Sequence, residues 1–105
     1  MEKYDVEVDE RGTVRYFKKG TDQLHRLDGP AIEFANGTKS WYQNGELHRL
    51  VGPAVEYASG VNEWHIDDVK FIEAQFKRKI NRLNTKEMTI AEIEKLLGHK
   101  VKIVN

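Results

Sequence analysis

Short bursts of alternating apolar and polar residues run through the first two-thirds of the chain, punctuated by glycine. Residues 30–35 place Ile32 and Phe34 on one side of an extended segment, and residues 38–43 return after Asn36-Gly37. Period-two alternation on either side of an Asn-Gly pair predicts a β-hairpin with a two-residue loop, because both loop positions tolerate positive φ. Asn44-Gly45, Ser59-Gly60 and Asp67-Asp68 predict further turns, and Glu10-Arg11-Gly12 predicts a three-residue loop. These loops set a register in which Val6 faces Tyr16, Ile32 faces Trp41, Phe34 faces Lys39 and Val55 faces Trp64. The recurring aliphatic–aromatic pair marks the expected core face, with Trp41 and Trp64 inside it. The other face is expected to carry Ala31, Glu33, Ala35, Ser40, Tyr42, Ala54, Glu56, Ala58, Glu63 and His65, with Glu56 opposite Glu63. Opposed like charges are unfavourable, so this face is expected to be solvated or to meet something basic.

From residue 70 the period changes. Ile72, Phe76, Ile80 and Leu83 recur at helical spacing over 70–83, with Lys77, Arg78, Lys79 and Arg82 on other faces. Thr89 and Glu92 spell a capping box, Met88 and Ile93 a hydrophobic staple and Gly98 a C-terminal cap, which together predict a helix at 90–97. Residues 99–104 alternate basic and aliphatic side chains and predict a short closing strand. The expected fold is α+β: an antiparallel β-meander of hairpin repeats over 3–70, then two C-terminal helices and a short terminal strand over 71–105, which cover the tryptophan face of one domain spanning 1–105.

The meander is repetitive. Residues 24–46 laid over 47–69 give 11 identities in 23 positions, including Leu-His-Arg-Leu, Gly-Pro-Ala and a tryptophan. A degenerate earlier copy is visible where "GTVRYFKKG" (12–20) parallels "GTKSWYQNG" (37–45). A fixed period of this length dictates a repeat architecture, since one hairpin cannot bury an aromatic face alone. The stretch "WYQNGELHRLVGPAVEYASGVNEW" resembles the MORN repeat (membrane occupation and recognition nexus), and the resemblance covers about residues 12–70. The LHR-x-x-GPA wording looks like a variant found in small proteins of tailed bacteriophages, with Gly-Pro-Ala at 29–31 and 52–54 in place of the usual G-x-G step. The resemblance implies a binding scaffold without enzyme chemistry. It further implies a phage accessory protein that binds a host protein, such as a defence protein, and modulates or inhibits it in the cytoplasm of the infected cell.

Charge and composition narrow the alternatives. The formal net charge of zero argues against a general polyanion binder, so nucleic acid is not an expected partner. Residues 1–70 hold 13 acids and 9 bases, whereas 71–105 hold 4 acids and 8 bases, so the basic stretch 77–82 can answer the acidic sheet or a bridging partner. The absence of cysteine excludes thiolate metal sites and suits a reducing compartment. No apolar run approaches the ~20 residues of a membrane span, and the acidic N-terminus lacks a signal-peptide core, so a soluble cytoplasmic protein is expected.

His25 and His48 stand at one motif position, each beside an arginine. With Glu33 or Glu56 they could support acid–base cleavage of RNA, yet duplication accounts for them without catalysis. Histidine spacing matches no metal motif. The expectation is no catalytic residue, no metal and no cofactor. A protein-binding surface is expected at Arg26, Glu33, Tyr42, His48, Arg49, Glu56, Glu63 and His65. Homo-oligomerisation through unpaired strand edges is a further alternative.

Overall fold

The computed structural model describes residues 3–84. Nine strands precede one helix: β1 (Tyr4–Val8), β2 (Val14–Lys18), β3 (Ile32–Glu33), β4 (Lys39–Ser40), β5 (Tyr42–Gln43), β6 (Glu46–Leu47), β7 (Val55–Glu56), β8 (Asn62–Ile66), β9 (Val69–Phe71) and α1 (Glu73–Asn84). Seven strands form one sheet in the order β1-β2-β3-β4-β7-β8-β9, and β5-β6 stands apart as a hairpin. Every pairing is antiparallel. The architecture is therefore α+β, an antiparallel meander with one helix among the described residues. The expected helix at 90–97 and strand at 99–104 lie outside them.

One turn device serves three hairpins. Phe34 N–H donates to the Thr38 carbonyl at 2.8 Å, and Gly37 N–H donates back to the Phe34 carbonyl at 2.9 Å. Tyr57 with Val61 and Gly60, and Asp9 with Thr13 and Gly12, repeat both bonds. The third loop residue alone is left-handed, with φ of 92° at Gly12, 95° at Gly37 and 94° at Gly60. This is a three-residue loop with a glycine bulge. The expectation held at Glu10-Arg11-Gly12, where Val6 pairs with Tyr16. It failed at Asn36-Gly37 and Ser59-Gly60, where the loop is one residue longer than expected.

That extra residue moves the register by one. Ile32 faces Ser40 instead of Trp41, and Val55 faces Glu63 instead of Trp64. Glu56 lies between Lys39 and Asn62, so the expected Glu56–Glu63 opposition does not occur. A one-residue slip reverses the facing of a strand, and the tryptophans are accordingly half-buried. The core is thin: Ala31, Ile32, Ala54, Val55, Ile66 and Phe76, with both alanines fully enclosed. Tyr16 and Trp41 N–H groups donate at 2.7 Å to the carbonyls of Ala31 and Ala54, a close approach that small side chains permit.

Helix α1 begins three residues later than the periodicity suggests, because β9 pairs Phe71 with Trp64 and Val69 with Ile66. Glu73 in its first turn and Arg82 in its last suit the helix dipole. Phe76 is buried and Ile80 half-buried, and both line a groove with Leu50, Val51, Gly52 and Trp64, while Ile72 and Leu83 face solvent. The tryptophan side thus receives one helix, as expected, at its C-terminal end only. No helix of the described residues is long and apolar enough to cross a membrane.

Candidate functional site

The repeated Leu-His-Arg segment ties the start of each copy to the turn at its end. Asn44 N–H donates to His25 Nδ1 at 3.0 Å, and Gly45 N–H donates to the Leu24 carbonyl at 2.9 Å. One repeat later, Asp67 N–H meets His48 Nδ1 at 3.2 Å and Asp68 N–H meets the Leu47 carbonyl at 2.9 Å. The clamped turns are left-handed at Asn44 (φ 52°), Asp67 (48°) and Asp68 (67°), so each histidine and its neighbouring leucine fix a backbone that needs positive φ at a non-glycine residue. Asp67 Oδ1 also lies 3.0 Å from His48 Nδ1.

The arginines finish the joint. Arg49 stacks its guanidinium 3.8 Å from the centre of the Trp41 ring and donates from Nη1 to the Pro53 carbonyl (3.1 Å) and to Glu56 Oε2 (3.0 Å). Arg26 does the same over Tyr16 at 4.0 Å, with the Pro30 carbonyl and Glu33 Oε1 both at 3.2 Å. Its Nε also donates to Asp28. Position 28 corresponds to Val51 in the next copy, and Arg49 Nε is buried there without a hydrogen-bond partner. The glycine of LHR-x-x-GPA follows from this stacking: a Cβ on Gly29 would stand 2.9 Å from Arg26 Cζ, and one on Gly52 3.1 Å from Arg49 Nη1. Five of the eight expected binding residues, Arg26, Glu33, His48, Arg49 and Glu56, are therefore engaged in the scaffold. Arg26, His48 and Arg49 also line a groove of about 440 Å³ beside Trp41, edged by the exposed Leu27, Leu50 and Val51.

Tyr42 and Glu63 come together elsewhere. Side chains alternate along the extended segment, so Ser40 and Tyr42 open onto one depression while Trp41 and Gln43 open onto the other. The Tyr42 cleft encloses about 360 Å³ between Phe34, Tyr42, Leu47, Val55, Tyr57 and Glu63. Glu63 accepts from Tyr57 Oη at 2.9 Å and from His65 Nε2 at 3.0 Å, with Lys70 Nζ farther off at 3.8 Å. The hydrogen bonds from His65 and Tyr57 hold the Glu63 carboxyl below the ordinary glutamate range. The bond to Glu63 pushes the Tyr57 phenol up, while burial, then the charge of Asp68, pushes the Tyr42 phenol up. His65 is 7% exposed, and its Nδ1 is buried without a hydrogen-bond partner. It supports Glu63 from behind and does not line the cleft.

Phe34, Tyr57, Leu47 and Val55 were not among the expected site residues. Phe34 and Tyr57 immediately precede equivalent turns, and this shared aromatic position was the available signal. A third depression, of about 400 Å³, is bordered by Lys70, Phe71, Gln75, Arg78, Lys79 and Arg82. No group of three or more His, Cys, Asp or Glu side chains suited to a metal ion occurs among the described residues. Compared with family models, curated proteins and solved structures, the chain matches none.

Proposed function

We propose that the protein is a non-catalytic protein-binding module. The observation that carries this reading is the division of labour between side chains. The repeated histidines, arginines and glutamates hold the turns and strands of the array, whereas Phe34, Tyr42, Leu47, Val55 and Tyr57 line a cleft on one face and the exposed Leu27, Leu50 and Val51 edge the groove beside Trp41 on the other. Grouped exposed apolar side chains rimmed by polar ones are a common form of protein interface. The resemblance to MORN-like repeats of phage proteins supports the same reading and points to a bacterial host protein as partner, whose activity would be modulated or blocked. A ribonuclease built on the His-Arg pairs could offer substrate only Nε2, since Nδ1 of both histidines faces a turn amide.

The test is capture from bacterial lysate by the tagged full chain, followed by mass spectrometry. A stoichiometric partner retained by the wild type and lost from Tyr42→Ala/Tyr57→Ala, with the melting temperature within a few degrees, is the expected result. Turnover of RNA that vanishes in His25→Ala would replace this reading with the enzymatic one.

A further inference from the structure

We infer that the aromatic cleft on the Tyr42 face receives a cationic side chain, an arginine or lysine, from the partner protein. The inference deepens the protein-binding reading and rests on it. Among the described residues, three rings, Phe34, Tyr42 and Tyr57, line the cleft, the only ionised group in that lining is Glu63, and no cation contributes to it. Rings supply a negative π-face and a carboxylate supplies full charge, the combination that attracts a guanidinium or ammonium. A second carboxylate, Asp68, stands near enough for its charge to act on the Tyr42 phenol.

The chain shows the completed version of this arrangement twice. Arg26 lies over Tyr16 and reaches Glu33, and Arg49 lies over Trp41 and reaches Glu56. Ring, guanidinium and carboxylate form one unit in each case. The cleft holds rings and a carboxylate, and the cation is the part supplied from outside. Among the described residues Lys70 is the cation paired with Glu63, but its ammonium is 3.8 Å away and its side chain is largely exposed, a pair too weak to resist a better-placed competitor. Glu63 keeps its Tyr57 and His65 bonds on both oxygens, so it is positioned before any ligand arrives. Such preorganisation lowers the ordering cost of binding.

The experiment is a titration of the isotopically labelled full chain with N-acetyl-Gly-Arg-Gly-amide, followed by amide chemical shifts. Its citrulline counterpart has nearly the same shape and no charge. Saturable shifts centred on Tyr42, Tyr57 and Glu63 are expected with the arginine peptide, about tenfold weaker binding with citrulline and in Glu63→Gln, and about fivefold weaker binding in Tyr57→Leu. Tyr57 is 40% exposed, so Tyr57→Leu retains its fold even where Glu63→Gln loosens the Tyr57 and His65 bonds. Equal binding of both peptides, or shifts centred on Glu33, Glu56 or α1, overturns the inference. The titration needs no natural partner, so its failure leaves a captured partner standing, and failed capture leaves the titration decisive for the cleft.

Discussion

At the scale of single residues, the histidine of the repeat acts as a hydrogen-bond acceptor for a turn 19 residues further on. His25→Phe keeps a ring in place and removes that acceptor, leaving the Asn44 amide unpaired in a part-buried site. Chemical denaturation should show a loss of about 1–2 kcal/mol. Gly29→Ala should destabilise by pushing Arg26 off Tyr16 and Glu33, and the same change should be nearly neutral in an Arg26→Ala background. A double-mutant cycle that gives simple additivity would show that the arginine is not the obstacle. Tyr42 and Tyr57, both with raised phenols, should ionise later than ordinary tyrosines in an alkaline absorbance titration. Repetition of His25 and His48 was legible in the sequence, as was duplication as its source, but His48 was expected at a binding surface and instead clamps a turn. The atom each histidine meets was not legible, because it lies 19 residues on, in the second turn of the same copy, and is brought close only by the fold.

At the scale of elements, the turn decides which face a strand shows. Asn-Gly occurs twice within ten residues. Asn44-Gly45 is left-handed at both positions, with φ of 52° and 82°, and closes a two-residue loop between Gln43 and Glu46. In Asn36-Gly37 the glycine alone is left-handed, and Ala35 joins the loop. The dipeptide could not distinguish these cases. The array could: Gly12-Thr13, Gly37-Thr38 and Gly60-Val61 occupy one position, and a single turn type had to serve all three. The threonine of this position bonds forward, since Thr13 Oγ1 accepts from Ala35 N–H at 3.1 Å and Thr38 Oγ1 from Ala58 N–H at 3.0 Å. Thr38→Val should therefore cost about 1–2 kcal/mol in urea unfolding, while Val61→Thr, at the end of the series and exposed, should change little. Phe76→Ala should cost about 3 kcal/mol by leaving the groove beside Trp64 uncovered.

At the scale of the whole molecule, principal extents of 63 × 31 × 17 Å describe a long, thin body. Most residues touch only their own repeat and its neighbours, as in other repeat proteins, where stability is a sum of unit and junction terms. The antiparallel meander and the presence of a helix beyond residue 70 were readable from periodicity, but the helix onset was not, because β9 takes residues 69–71. The division of the polar residues between joints and cleft was not, since it depends on the one-residue shift of register. Acid should act through the Glu63 joint. Its carboxyl titrates lower in the folded chain than the ordinary value of 4.5, so its contribution is present above that value and lost as pH falls through the lower, folded one. Melting curves between about pH 6 and 3 should fall less steeply for Glu63→Gln than for the wild type.

The contacts between copies carry a consequence for how this gene could have grown or shrunk. Each threonine bonds into the copy that follows and each arginine stacks on a ring of the copy that precedes, so the physical joint straddles the written boundary of the repeat. Excision of residues 24–46 would set Leu47 in the place of Leu24, bring Arg49 to Tyr16, and offer Thr13 to Ala58, each an exchange of equivalents. A shorter chain with a sigmoidal melt and an intact near-ultraviolet dichroism spectrum should result. Loss of a few residues more or fewer would leave the arginine and threonine contacts across that junction out of phase. Length changes in whole multiples of the period are thus the tolerated ones, and recombination between copies supplies them wherever in the period the crossover falls.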